Sequence, residues 1–234
     1  MKHIIHPAQS RGNNNFGWLD SHHSFSFGRY FNPERMNFGK LRVLNDDFVE
    51  GGAGFGTHPH DNMEIVSIPL SGAIEHQDST GTKGVIHTGD VQIMSAGSGI
   101  THSEYNHSPT EALNFLQLWV IPEKMNIKPR YEQKTFRIEE QPNQWHTVVA
   151  PDADDALWIN QAAYFSLMKT DQAADVQYSL KKPEHGVYFF VIEGGFRTHE
   201  MELSKRDAVG IYDTEQVNMI VTAGSYILAV EVPM

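Results

Sequence analysis

At 234 residues and 40% hydrophobic content, the chain can form one large domain or two of ordinary size, each with a core of its own. Its 18 Lys and Arg against 29 Asp and Glu give a formal charge of -11, so no broad basic surface and no direct nucleic-acid partner are expected. The absence of cysteine excludes disulfides, thiolate metal sites and cysteine nucleophiles together.

The first residues, "MKHIIHPAQSRGNNNFGWLD", hold no apolar stretch of the signal-peptide kind. No window approaches the roughly 20 apolar residues of a membrane span. The expectation is a cytoplasmic, soluble, monomeric protein without a membrane partner.

From there the chain reads as a succession of short runs rich in Val, Ile, Phe and Tyr. They are "LRVLNDDFV", "MEIVSIPL", "VQIMSA", "LNFLQLWVI", "AYFSLMK", "VYFFVIEG", "DAVGIYD", "QVNMIVTA" and "SYILAVEV". Most are too short for helices. Turn signals such as Ser71-Gly72, Thr80-Gly81, Thr88-Gly89-Asp90, Glu193-Gly194-Gly195 and Ala223-Gly224-Ser225 punctuate them at strand-like spacing. Weak helical possibilities exist only around Asn32–Met36 and Pro151–Asp155. The pattern predicts an all-β sandwich or barrel.

The stretch "VIPEKMNIKPRYEQKTFRIEEQPNQWH" carries three of the eleven prolines, many charges and little alternation, so it reads as a linker over about residues 122–145. Strand-rich segments on both sides predict two β-barrels, an N-terminal domain of residues 1–130 and a C-terminal one, with the linker, of residues 131–234.

The chemistry concentrates in "GFGTHPHDNMEIVSIPLSG". Residues two apart on an extended chain share a face, so His58 and His60 aim both imidazoles at one point. Pro59 cannot donate a ladder hydrogen bond, which puts the pair at a strand end or sheet edge. Partners are expected from a later strand, and "GDVQIMSAGSGITHSEYN" repeats the spacing with His102 and Glu104. Gly97 and Gly99 would let the backbone turn tightly before that strand. Three imidazoles and a carboxylate make a nitrogen/oxygen site suited to one divalent transition metal, Fe(II), Mn, Ni, Cu or Zn, with positions left open for substrate or dioxygen. A lone histidine on a strand is ordinarily a hydrogen-bonded or surface residue. Two matched pairs, each beside a Gly-rich turn, are harder to account for that way.

"GTHPHDNMEI" and "GDVQIMSAGSGITHSEYN", together with "SFSFGRYFNP", "LRVLNDD", "EHQDSTG", "LQLWVIP" and "PRYEQKTF", resemble the pirin family of the cupin superfamily. The resemblance is strongest from Gly17 to about Phe136 and closest to the short bacterial pirins described as quercetin 2,3-dioxygenases. It implies a bicupin fold and one metal, usually iron, held by His58, His60, His102 and Glu104. The general cupin pattern would take its carboxylate from Glu64; the pirin likeness favours Glu104 and leaves Glu64 as a supporting group.

The other histidines suggest less. His76 could approach the site or merely pack. His22 and His23 sit among aromatics as structural residues, and His107 is expected to be exposed. His185, His199 and Glu200 form no comparable pair, so the C-terminal barrel is expected to be metal-free.

The resemblance further implies an iron-dependent dioxygenase that opens flavonols such as quercetin with dioxygen and releases carbon monoxide. In it Glu104 would double as the base that takes the substrate proton. The alternative it carries is an iron-binding, redox-sensitive interaction protein that modulates a transcriptional regulator or an enzyme.

Overall fold

The computed structural model describes every residue from Met1 to Met234. It is built from strands, with no α-helix and two short 3-10 turns at Ala8–Ser10 and Ile138–Glu140. The weak helical possibilities at 32–36 and 151–155 are turns and bends. Five residues cannot offset the cost of nucleating a helix. No helix is long and apolar enough to cross a membrane.

In chain order the first strands are β1 (Lys2–His6), β2 (Gly12–Asn15), β3 (Leu19–His23), β4 (Leu41–Val49), β5 (Gly54–His60) and β6 (Glu64–Ser71). They continue with β7 (Ala73–Asp78), β8 (Lys83–His87), β9 (Asp90–Ser95), β10 (Ile100–Asn106), β11 (Leu113–Val120) and β12 (Arg130–Thr135). The later part holds β13 (His146–Ala150), β14 (Leu157–Trp158), β15 (Tyr164–Lys169), β16 (Ala174–Ser179) and β17 (His185–Glu193). It closes with β18 (Gly195–Arg197), β19 (Glu202–Ser204), β20 (Ala208–Tyr212), β21 (Gln216–Val221) and β22 (Tyr226–Pro233). Each of the nine runs read as strands falls on one of these elements.

Two compact units result. One comprises residues 12–136 with 157–161; the other comprises 1–11, 137–156 and 162–234. These differ from a simple division at 130/131. The first eleven residues join the C-terminal unit because β1 pairs antiparallel with β20, Lys2 opposite Tyr212 through His6 opposite Ala208. The stretch read as a linker contains β12, an edge strand paired with β9 from Arg130 opposite Ser95 to Thr135 opposite Asp90. A strand with one free edge and exposed side chains needs no apolar alternation, and charge on an edge guards against further pairing. That is why its composition reads as a linker.

The N-terminal unit has a seven-stranded sheet, β12-β9-β6-β11-β4-β3-β2, facing a four-stranded sheet, β5-β10-β7-β8. Between them lie apolar clusters, one of Leu19, Val49, Ile74, Ile86, Leu113 and Phe115, another of Ile65, Met94, Ala96 and Ile100. In the C-terminal unit the order β1-β20-β17-β22-β15-β13 forms one sheet and β16-β21-β18-β19 the other. Phe189, Phe196, Val209, Ile211, Val221 and Ile227 are buried in its core. The aromatic run of β17 is thus core, as read from the sequence. The fold is the expected all-β bicupin. Its units are the jelly-roll-like domains expected, each of two sheets with free edges.

Candidate metal centre

The two strands that carry the expected ligands, β5 and β10, pair at one corner of the N-terminal unit. After β5 the chain leaves the four-stranded sheet through Asn62, whose φ is 46°, and enters β6 of the other sheet. After β9 it makes the reverse crossing through Gly97, φ 50°, and Gly99, φ 127°. A Cβ on Gly97 would stand 2.1 Å from the Ile127 carbonyl oxygen, so only glycine fits this left-handed corner. Asn62 N–H donates to the Gly97 carbonyl at 2.9 Å, tying the two crossings together.

Strand β10 then lies between β5 and β7. His102 stands opposite His58 on one side and Asp78 on the other; Glu104 stands opposite His76. Directly opposite residues share a face. The sheet therefore presents His58, His60, His102, Glu104, His76 and Asp78 on one side. As an edge strand, β5 also accommodates Pro59 without losing a ladder bond.

Three of the four expected ligands form a tight corner. Ring centroids are 4.8 Å apart for His58 and His60, 4.5 Å for His58 and His102, and 4.9 Å for His60 and His102. Their candidate ligand atoms all lie within 4.8 Å of one another. Glu104 falls into a second cluster of the same reach, with His102 and His76, so the carboxylate is joined to the corner through His102.

The free lone pairs suit a cation. His58 Nδ1 donates to the Gly56 carbonyl at 2.8 Å, which leaves Nε2 as the acceptor nitrogen. His102 is buried, yet neither of its ring nitrogens has a partner. An orphaned buried nitrogen of this kind costs about 1–3 kcal/mol, and an electrophile would relieve it. Burial, then repulsion from His58, pulls His60 down to about 4, with Asp61 opposing. Burial, with His58, His60 and His76 adding, pulls His102 down to about 3. Both rings are neutral at ordinary pH, the form a metal needs. The residues present fit a divalent transition metal.

Glu104 is fully buried between the sheets. Ser67 Oγ donates to its Oε1 at 3.2 Å and Gln117 Nε2 to its Oε2 at 2.8 Å. Gln117 is itself oriented by Trp119, whose Nε1–H donates to its Oε1 at 3.2 Å, and the Trp119 ring meets His60 edge-on at 4.9 Å. Burial pushes the Glu104 carboxyl up to about 7 against these two donors.

Sequence reading missed Ser67 and Gln117, although each interrupts an apolar run. Such a residue, once buried, must have a partner.

Of the remaining candidates, His76 lies within reach of the centre. Glu64 lies on β6 of the opposite sheet; Ser95 Oγ at 2.8 Å and Asn160 N–H at 3.1 Å donate to its Oε2. It is in neither histidine cluster. His76 is buried, with Nε2 3.1 Å from Asp78 Oδ2 and Nδ1 unpartnered. Asp78 in turn accepts from Thr80 N–H at 2.8 Å, Thr80 Oγ1 at 2.6 Å and Thr82 N–H at 3.2 Å. His23 donates from Nδ1 to Asn45 at 2.9 Å and stacks on Phe27, a structural role, and His107 is exposed. In the C-terminal unit His185 donates from Nδ1 to buried Glu231 at 3.0 Å, while His199 lies in an exposed turn.

A pocket of about 300 Å³ adjoins the corner, with His58, His60 and Glu104 in its wall and Phe16, Phe27, Phe55 and Trp119 supplying aromatic surface. Comparison with known proteins accords with this arrangement. The Pirin family profile matches residues 5–120, and that of the quercetinase C-terminal cupin domain matches residues 147–232. A quercetin 2,3-dioxygenase of Escherichia coli K12 is 40% identical over 233 residues, covering 98% of each chain.

This chain belongs to the pirin family.

A pirin-like protein of Caulobacter vibrioides is 38% identical over 209 residues, 88% of this pirin and 89% of the relative. The crystal structure of the bacterial pirin YhhW from Escherichia coli in complex with nickel(II) superposes with a TM-score of 0.93 at 39% identity, covering 99% of each chain. Most of each matched stretch falls in one of the two units.

Proposed function

We propose that this pirin is a quercetin 2,3-dioxygenase-like enzyme that opens flavonols with dioxygen and releases carbon monoxide. Its cofactor is one divalent transition metal, Fe(II), at His58, His60, His102 and Glu104. The observation that carries the reading is a buried carboxylate, fixed by Ser67 and Gln117 and clustered with His102, in the wall of an aromatic-lined pocket that also exposes His58 and His60. The likeness to the Escherichia coli enzyme over nearly the whole chain supports the substrate class.

When bound, the metal supplies a Lewis acid for the flavonol oxygens and a redox partner for dioxygen. The protein does the rest. His58, His60 and His102 present neutral nitrogens, His58 with its tautomer set by the Gly56 carbonyl. Phe16, Phe27, Phe55 and Trp119 line a space for a planar ring system and keep water from it. Glu104 takes the proton of the substrate's enolic hydroxyl onto its carboxylate. Its burial disfavours the charged form, which makes the carboxylate a readier proton acceptor than an exposed one. Ser67 and Gln117 hold the group in place through the transfer.

Anaerobic reconstitution with Fe(II), Mn, Ni or Cu, followed by headspace detection of carbon monoxide over a panel of flavonols, tests the proposal. Carbon monoxide released in step with flavonol consumption is expected. Its absence with every metal and flavonol overturns the reading and favours the metal-dependent interaction protein instead.

A further inference from the structure

The metal corner occupies only part of the pocket. The histidines and Glu104 enter from the four-stranded sheet; Asp47 and Ser21 enter from β4 and β3 of the seven-stranded sheet. Asp47 and Ser21 are directly opposite across that ladder, and Ser21 Oγ donates to Asp47 Oδ1. The second carboxyl oxygen, Oδ2, has no hydrogen-bond partner. Asp47 as a residue is only 3% exposed, and the pocket is the open space it borders. Burial pushes its carboxyl up to about 7, against the Ser21 hydrogen bond, with Asp46 and Glu104 adding.

A carboxyl placed only to pair β3 with β4 would need one oxygen, which Ser21 already satisfies. The other is left free at the pocket wall, where a polar group of a bound molecule can pair with it. A ligand pocket of this kind fixes orientation with a few polar groups set among apolar walls.

We propose that Asp47 determines specificity in this pocket: its free carboxyl oxygen binds a hydroxyl of an aromatic substrate, distinct from the oxygens that face the histidines. The substrate class is a planar polyphenol with hydroxyls at both ends, not merely a ring with a single chelating pair. This rests on the flavonol reading above and narrows it.

Calorimetric titration of the nickel(II)-loaded protein, without oxygen, tests the assignment. The ligands are quercetin and 3-hydroxyflavone, which lacks every hydroxyl except the one beside the carbonyl. Wild type is expected to bind quercetin about 10- to 100-fold more tightly, the worth of one hydrogen bond to a charged group. In Asp47→Ala the preference disappears through weaker quercetin binding, while 3-hydroxyflavone affinity and nickel content hold. Should that variant not fold, as judged by circular dichroism, Asp47→Asn reads the same ratio at nearly unchanged volume. Wild type binding both flavonols equally, or a variant weakening both alike, overturns the assignment of Asp47 alone. Wild type binding neither flavonol overturns the substrate reading and this inference with it.

Discussion

Gln117 donates from Nε2 to Glu104 Oε2 at 2.8 Å, across the gap between the two sheets of the N-terminal unit. Trp119 fixes the orientation of that amide by donating to its other end, so the bond is directional. Gln117→Leu removes the donor at similar volume and leaves only Ser67 on the carboxylate. Such partners of a ligand are worth about 10- to 100-fold in metal affinity. Competition with a chelator for nickel(II) should show a loss in that range. Unchanged affinity in a folded variant would mean that Ser67 suffices.

Glu104→Gln separates ligand from base. It keeps the size and one oxygen but loses the charge and the proton acceptor. In the iron-loaded variant, flavonol turnover should fall by about two to four orders of magnitude, the range for a general base. His60→Ala should instead lose metal and activity together, because a neutral ligand is gone. Near-normal turnover by iron-loaded Glu104→Gln would leave Glu104 a ligand only.

The buried position of Glu104 also has a signature in the metal-free protein. Its carboxyl lies at about 7 in the folded state against an ordinary value of 4.5. The folded state therefore holds this proton more tightly than the unfolded one. Its stabilising contribution is complete below pH 4.5 and is lost as pH rises through 7. Wild type should weaken relative to Glu104→Gln over that window, by about 3 kcal/mol once the carboxyl is ionised. The lowered His60 and His102 act on both proteins alike and cancel in the difference. Urea titrations of chelator-treated protein at a series of pH values check this, and a wild type that gains stability relative to Glu104→Gln as pH rises would refute it.

In the C-terminal unit the buried polar group serves the fold. Glu231 is wholly buried and accepts from Lys181 N–H at 2.8 Å, Lys182 N–H at 3.1 Å, Tyr178 Oη at 3.1 Å and His185 Nδ1 at 3.0 Å. Glu231→Ala strands these donors and should cost about 3–5 kcal/mol. Denaturation should report that loss, while nickel(II) bound per folded molecule stays the same. A drop in metal stoichiometry would tie this cluster to the metal centre.

Much of the centre was legible because it is local. His58 with His60 and His102 with Glu104 are i, i+2 pairs, and the alternation of an extended chain places each pair on one face without reference to the rest of the fold. The glycines before His102 announced the corner that turns β10 into its sheet. Apolar runs such as those of β15 and β17 were equally plain, since strands buried on both sides are largely apolar along their length.

What the chain kept hidden depends on pairing between distant residues. Nothing near Ser67 or Gln117 signals that Glu104 lies across from them, and nothing in Arg130–Thr135 distinguishes an exposed edge strand from a linker until β9 is beside it. The placement of residues 1–11 with the C-terminal unit is settled by the β1–β20 ladder, more than 200 residues apart in sequence. Sequence alone determined the strand content and the identity of the two histidine-bearing pairs, because backbone periodicity acts over a few residues. Only the tertiary structure decided that Glu104 stands beside His102 and His76, what holds its carboxylate, and which pocket the residues face, because packing of one sheet on another brings together side chains that no local rule relates.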